Sequence, residues 1–452
     1  MDSANPGISA SLNEWLDWLL ALHAQEIDLG LDRISKVAHK LGVLNDTPYI
    51  ISVAGTNGKG SSVAMLCSIY QAAGYSVGSY TSPHILNFNE RIQVNQTPVS
   101  DETIVAAFSS IEAARGDVKL TYFEFSTLAA WVIFQQEQLD VWVLEVGLGG
   151  RLDAVNAADA DIALITAIDV DHSDWLGNDR ELIALEKAGI MRSGKPSVCS
   201  DADIPKKLLG YAEDQNVDLI CLGDAFQYIS KACESESHDY DSTPAWQFLV
   251  SPELSANKNL VSLDNLPYPA LQGSFQLQNA SGVIAVVQQS DDHLPVDKAS
   301  IVQGLLQVKH PGRLQTLVYG NVSWLIDVAH NPQSAEVLAG YLTQKSFKGD
   351  AVFSVLEDKD YSKMIRQICP FINHWYIADL KVPRAAGVSQ LKQTMIDSGV
   401  DEGSIIVCSD IHSAASQAYE KNIAKSESNI LCWGSFYTVS QCMEKLNNLR
   451  GR

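Results

Sequence analysis

Short apolar runs alternate with helical stretches along most of the chain. Residues 49–54 (Tyr-Ile-Ile-Ser-Val-Ala) form the first β-type run. A glycine-rich turn follows, then a helical stretch ending at Gly74, a residue suited to the position just past a helix. Further strands are predicted at 76–80, 141–146, 162–168, 197–199 and 218–222. Strands that alternate with helices predict a parallel, doubly wound α/β sheet. Residues 234–270 break the pattern: they are acidic and polar at first, then rich in Pro and Asn, which predicts loops or an antiparallel excursion. Helices are predicted over 274–289 and 297–307. They lead to His310-Pro-Gly-Arg313, near which a domain boundary is expected, giving units 1–308 and 309–452. The alternation then restarts, with strands expected at 324–328, 351–356, 375–378, 404–408 and 430–433. A second, smaller α/β domain follows from it.

Composition narrows the class. Hydrophobic residues are 46% and charged residues 19% of 452, enough apolar material for a full core. With 32 basic against 54 acidic side chains the net charge is −22. That balance argues against a general nucleic-acid or anionic-membrane binder, though a locally positive pocket could still take small anions. None of the eight cysteines is paired at CxxC spacing, so free thiols in a reducing cytosol are expected. The N-terminal apolar stretch around Trp15 to Leu22 is broken by Asp17 and reads as an amphipathic helix, not a leader. No run reaches the ~18–20 residues of a membrane span, so a soluble cytoplasmic protein is expected.

The strongest chemical signal is Ala54-Gly-Thr-Asn57-Gly58-Lys59-Gly60-Ser61-Ser62, set between a buried-strand pattern and a helix. Glycines let the backbone approach phosphate oxygens, the helix N-terminus adds partial positive charge, Lys59 adds a full one, and Ser61 offers a hydroxyl near a metal. The ordinary Walker spacing fails, because Val53 stands where the first glycine belongs and Gly60 where Ser or Thr should follow the lysine. The plain alternative is a β–α turn with a surface lysine. Glu145 ends the apolar run 141–144, the usual place to hold Mg²⁺ beside a phosphate loop; a strand-end salt bridge is the other reading. In the glycine-rich segment 147–153, Arg151 could meet an anion, or the segment could be only a tight turn. His172 follows a third apolar strand, which favours a metal role over a structural one. Lys187 reads most simply as a solvated helical lysine. In Asp327-Val-Ala-His330-Asn-Pro332, helix capping accounts for Asn331 and Pro332 but not for Asp327 or His330.

As a set these motifs resemble the folylpolyglutamate synthase/dihydrofolate synthase family, a branch of the Mur-ligase-type ADP-forming amide ligases. Matching segments run from Ile27-Asp-Leu-Gly-Leu-Asp-Arg-Ile34 to Gly434-Ser-Phe-Tyr437. The loop at 55–61 matches the family's own phosphate-loop variant, while Thr81-Ser-Pro-His84, Glu145-Val-Gly-Leu-Gly-Gly-Arg-Leu-Asp153 and Asp171-His-Ser-Asp-Trp-Leu-Gly177 match its folate branch. The resemblance implies a large P-loop NTPase-like domain and a smaller Rossmann-like Mur-ligase domain with the site between them. It implies that Asn57, Gly58, Lys59, Gly60, Ser61, Asn279, Arg313 and Asp327 contact ATP. Mg²⁺ would be held by Ser82, Glu145 and His172, and Lys187 would be carbamylated. His330 and Ser435 would meet glutamate. Thr121, Tyr122, Phe123, Glu124, Leu152, Asp153 and Ala154 would bind the pterin substrate. Lys59, His172 and Lys187 are the residues implied in catalysis. The implied reaction joins L-glutamate to dihydropteroate or a reduced folate through an acyl phosphate, in a monomer. Another amide ligase of the same architecture, a nucleotide-dependent switch and a small-molecule kinase are the rival readings.

Overall fold

The structure, a computed structural model, describes residues 5–23, 27–231, 245–251, 259–425 and 427–450. The first sheet has eight strands: β1 (Tyr49–Ala54), β2 (Val77–Tyr80), β3 (Ile92–Val94), β4 (Thr97–Pro98), β5 (Val141–Glu145), β6 (Ile162–Ile165), β7 (Pro196–Cys199) and β8 (Asp218–Cys221). Their order is β4-β3-β2-β5-β1-β6-β7-β8. Pairing is parallel except at β3 and β4. The central strand β1 shows why the apolar runs are continuous: Ile50 and Ala54 enter the core on one face, and Ile51 and Val53 the core on the other. A strand buried on both sides needs no polar alternation.

The excursion expected after residue 234 is an antiparallel sheet that starts earlier, with β9 (Phe226–Lys231), β10 (Ala245–Val250) and β11 (Leu263–Pro267). The acidic run 234–241 lies outside the described residues. The helices expected next are observed as Phe275–Gln289 and Lys298–Gln307.

The third sheet holds β12 (Gln315–Tyr319), β13 (Val322–Ile326), β14 (Gly349–Phe353), β15 (Ile372–Ile377), β16 (Ile405–Val407) and β17 (Ser428–Trp433), in the order β12-β13-β17-β14-β15-β16. Only β12 is antiparallel. Helices again cover both faces, with Leu431 and Trp433 in one core and Ile430 and Cys432 in the other. The strand expected at 324–328 starts and ends two residues earlier. Asp327 leaves the sheet to accept hydrogen bonds from the Leu314 and Ala329 amides. The hairpin strands β3, β4 and β12 were not anticipated. They are short, and their turns rest on left-handed residues, Asn95 and Gln96 in one and Gly320 in the other.

The seven described cysteines are free, six of them buried. No described helix is long and apolar enough to cross a membrane.

Candidate active site

In a parallel sheet the strand C-termini and helix N-termini share one edge, and loops there line a crevice where the winding reverses. β1 sits at that reversal, between β5 and β6. The loops after β1, β2, β5 and β6 therefore meet, and the third sheet brings the loops after β13 and β17 against them. Together they line a cavity of about 730 Å³, within the ordinary range for a ligand pocket.

The loop after β1 is shaped by its glycines. Gly58 caps the helix Lys59–Ala72 at φ +92°, and a Cβ there would lie 2.5 Å from Asn279 Oδ1. A Cβ on Gly55 would overlap Thr166 Oγ1. Lys59 Nζ donates to the carbonyls of Gly55 (3.0 Å) and Thr56 (3.2 Å), so its ammonium folds back over the loop. Gln276 links Asn279 to the hydroxyl of Ser61.

Glu145 is buried at the end of β5, where its carboxylate accepts from the Ser82 amide at 3.3 Å. Burial pushes its carboxyl up, while the charge of Lys59, the Ser82 amide and Arg313 pull it down. Burial likewise lowers the Lys59 ammonium, with Glu145 and Asp171 opposing. Each charge is short of solvation and leans on the other. An arriving anion would add a further partner for Lys59. His172 stands in the left-handed region at φ +52°, a conformation that a non-glycine residue holds only when its surroundings impose it. Burial, then Lys359 and other nearby cations, lowers it to about 4 despite the pull of Asp171, so the ring is neutral and able to ligate. Among the described residues no three His, Cys, Asp or Glu side chains converge as a metal cage. The donor set at hand is instead one carboxylate, one hydroxyl and one neutral imidazole. That set fits a hard cation held mainly by phosphates and water, the habit of Mg²⁺. Lys187 is no solvated lysine: it is 3% exposed, and burial together with the Lys59 charge lowers its amine to about 7.

From the other domain, half-buried Arg313 lies over the Phe436 ring at 5.2 Å and beside buried Asp327, the two charges offsetting each other's desolvation. His330 and Ser435 line the same cavity. Asn331 caps its helix as expected but also donates to Asn57 (3.2 Å) and Asp171 (3.0 Å) in the first domain. Gln333 meets Asn57 as well.

Two residues the sequence reading did not assign hold the domains together. Asp171 accepts from Lys359 Nζ at 2.5 Å and lies 3.4 Å from His330 Nε2, and the Asp171 and Lys359 side chains are 7% and 5% exposed. Although burial opposes it, the hydrogen bond and charge of His330, with His172 and Lys359, hold the Asp171 carboxyl well below the usual range. A signal for Asp171 existed, since it precedes His172 within a quoted motif. Lys359 had none. His310, also unassigned, packs against the glycine-rich loop after β1: a Cβ on Gly60 would lie 2.7 Å from its Nε2.

The pterin-assigned residues are not among those lining the cavity. Thr121 and Glu124 form a reciprocal cap on the helix Tyr122–Gln136, and Arg33 pairs with Glu124 at 3.1 Å. Phe123 lies against Gly147, where a Cβ would come within 2.6 Å of its ring. Asp153 caps the turn Ala154–Ala157 and accepts from Leu148 at 2.8 Å, and burial raises it to about 7. The Leu152 carbonyl accepts from Gly30, and Ala154 is buried. Phe123 and Asp153 thus stand behind residues 147–149, which do line the cavity.

Breaking the ion pair between the domains has a predictable cost. Lys359→Ala leaves Asp171 buried without its counter-charge, a loss of about 3–5 kcal/mol in the closed form. Small-angle scattering should then report a larger radius of gyration than for the unaltered chain, with both sheets intact by circular dichroism.

Comparison with known proteins gives concordant results. Residues 53–287 match the Mur ligase middle domain, and residues 312–436 match the Mur ligase glutamate ligase domain. The dihydrofolate synthase/folylpolyglutamate synthase of Escherichia coli is 38% identical over 449 residues, covering 98% of each chain. Escherichia coli FolC solved in complex with DHPP and ADP superposes with a TM-score of 0.85 at 37% identity, covering 98% of this chain and 100% of that one. A bifunctional folylpolyglutamate synthase/dihydrofolate synthase solved with Mn, AMPPNP and L-glutamate bound gives the same TM-score, identity and coverage.

Proposed function

Because this chain belongs to the Mur ligase family, in its dihydrofolate synthase/folylpolyglutamate synthase branch, we propose that it uses ATP to join L-glutamate to dihydropteroate and to reduced folates. The observation that carries the reading is one cavity lined by Lys59, Glu145 and His172 from one domain and by Arg313, Asp327, His330 and Ser435 from the other. A boundary at 308/309 agrees with this division of the lining.

A carboxylate resists amines because its oxygen is a poor leaving group. Phosphorylation by ATP gives an acyl phosphate, which the glutamate amine then displaces. The loop amides from Asn57 to Ser61 and the Lys59 ammonium hold the triphosphate and take up charge on the transferring phosphoryl group. Asn279, Arg313 and Asp327 hold the rest of the nucleotide. Ser82, Glu145 and His172 would hold Mg²⁺, which when bound screens the repulsion between triphosphate and carboxylate. His330 and Ser435 take the incoming glutamate. The capped helix start at Thr121, Tyr122, Phe123 and Glu124 and the turn at Leu152, Asp153 and Ala154 shape the pterin end from behind the lining. Closure through Asp171 and Lys359 keeps water from the acyl phosphate. A monomer and a cytoplasmic location complete the reading, the free thiols among the described cysteines supporting the latter.

Lys187 carries a further expectation. An amine lowered to about 7 is substantially neutral at physiological pH, as attack on carbon dioxide requires. The carbamate so formed would turn an ammonium that repels metal into a carboxylate-like ligand. Protein equilibrated with carbon-13 bicarbonate should show a carbamate resonance that grows as pH rises through about 7 and is absent in Lys187→Ala. No such resonance at any pH would remove the modification from the mechanism.

The proposal as a whole is tested by ADP release with ATP, Mg²⁺ and L-glutamate, comparing dihydropteroate with tetrahydrofolate. Glutamate-dependent turnover with both acceptors is expected; ATP hydrolysis indifferent to glutamate would refute it.

A further inference from the structure

Arg91 has no role in the scheme above, yet its setting is unusual. It ends the turn Phe88–Arg91, is 9% exposed, and lines the cavity alongside Ser82, His84 and Glu145. Its guanidinium lies over the rings of Phe88 (5.7 Å) and Tyr122 (5.5 Å). Nε donates to His84 Nδ1 at 2.8 Å. Neither Nη atom donates to a described residue, and no described carboxylate lies within ion-pair distance. Arginine stays charged when buried, and a buried charge is ordinarily paired. A buried arginine that no described carboxylate approaches to ion-pair distance is placed for an anion from outside.

The position narrows the anion. On one side lies Glu145, near enough for the two charges to interact. On the other lies Tyr122, the first residue of the helix start that shapes the pterin end. The triphosphate already has the loop amides, Lys59 and Arg313. What remains between the phosphate loop and Tyr122 is the reacting end of the acceptor. His84 adds a second donor: its Nδ1 accepts from Arg91, which leaves the proton on Nε2.

We propose that Arg91, with His84 beside it, is the receptor for the acceptor's carboxylate. This rests on the ligase reading and deepens it. The guanidinium fork holds one carboxylate oxygen and leaves the other free to attack. That second oxygen bonds to the γ-phosphorus, the bond from phosphorus to the ADP oxygen breaks, and ADP departs with the electron pair. The oxygen on Arg91 becomes the acyl carbonyl. When the glutamate nitrogen adds to carbon, that oxygen takes the negative charge. It returns the charge as the bond to phosphate breaks and the nitrogen loses its proton to the departing phosphate or to solvent. Both acceptor types end in a carboxylate at this point, so one arginine serves both.

The test compares the unaltered chain with Arg91→Gln and Arg91→Lys. Loss of a charge-assisted contact should raise the acceptor KM by about 10- to 100-fold, while nucleotide KM and ADP affinity stay unchanged. The discriminating readout is inhibition by dihydropteroate analogues. The unaltered protein should bind the carboxylate better than its carboxamide, and in Arg91→Gln that preference should vanish, with Arg91→Lys recovering part of it. Equal weakening of both analogues, an unchanged acceptor KM, or a rise confined to the ATP KM would each overturn the assignment. The ligase reading fails separately, if the unaltered chain shows no glutamate-dependent ADP release with either acceptor.

Discussion

Lys59→Ala should abolish ADP formation and leave the fold in place. Its ammonium is tethered to the Gly55 and Thr56 carbonyls and lines the cavity beside Glu145. Removing one preorganised donor of this kind costs about 100- to 1,000-fold in kcat, and a full charge in a dry site should reach the top of that range or beyond. Stability should change little. Burial already disfavours this ammonium, so its deletion relieves a desolvation burden as it removes two hydrogen bonds. The measurement is glutamate-dependent ADP release set beside thermal unfolding. Full turnover in a folded Lys59→Ala variant would remove the phosphate-loop assignment, and with it the ordering of the rest of the site.

The second large effect is expected at Glu145. Glu145→Gln keeps the shape and an oxygen to accept from the Ser82 amide but removes the only carboxylate in the candidate metal set. The metal midpoint should rise by at least about tenfold, as a lost anionic ligand implies, and kcat at ordinary Mg²⁺ should collapse. Nucleotide binding measured without metal should be unchanged or stronger, because a negative charge has left the triphosphate's surroundings. A metal titration identical to that of the unaltered chain would mean that Glu145 serves only as a strand-end acceptor. The two variants separate the roles: Lys59→Ala acts through phosphate contacts at any metal concentration, whereas Glu145→Gln should be partly rescued by raising Mg²⁺.

Several parts of this site were readable because βαβ order forces them. A continuous apolar run such as 49–54, followed by a glycine-rich turn, reads as a strand. In a parallel sheet the residues after such strands share an edge, so Lys59, Glu145 and His172 could be placed together without coordinates. Asn331 and Pro332 were readable as a helix start from local chemistry alone. Other features depend on distant partners. β5 pairs with β1 across about ninety residues of chain. Arg91 meets Tyr122 only because the turn Phe88–Arg91 packs against the start of the helix Tyr122–Gln136. Lys359 and Asp171 are 188 residues apart and lie in different domains. No period or motif in either segment announces the other. The pterin-assigned residues make the converse point: their motif was legible, but caps and packing keep them out of the cavity's lining.

The sequence by itself determined the α/β class, the restart of the pattern in a second domain, the glycine-rich loop between a strand and a helix and the strand-end Glu145, because these follow from local periodicity and turn chemistry. Tertiary structure alone decided that Asp171 is held by Lys359 and His330, that Lys187 is buried with an amine near 7, and that Arg91 faces the cavity with no described carboxylate at ion-pair distance. Burial and charge pairing are properties of what surrounds a side chain, and those surroundings come from remote parts of the chain brought together by folding.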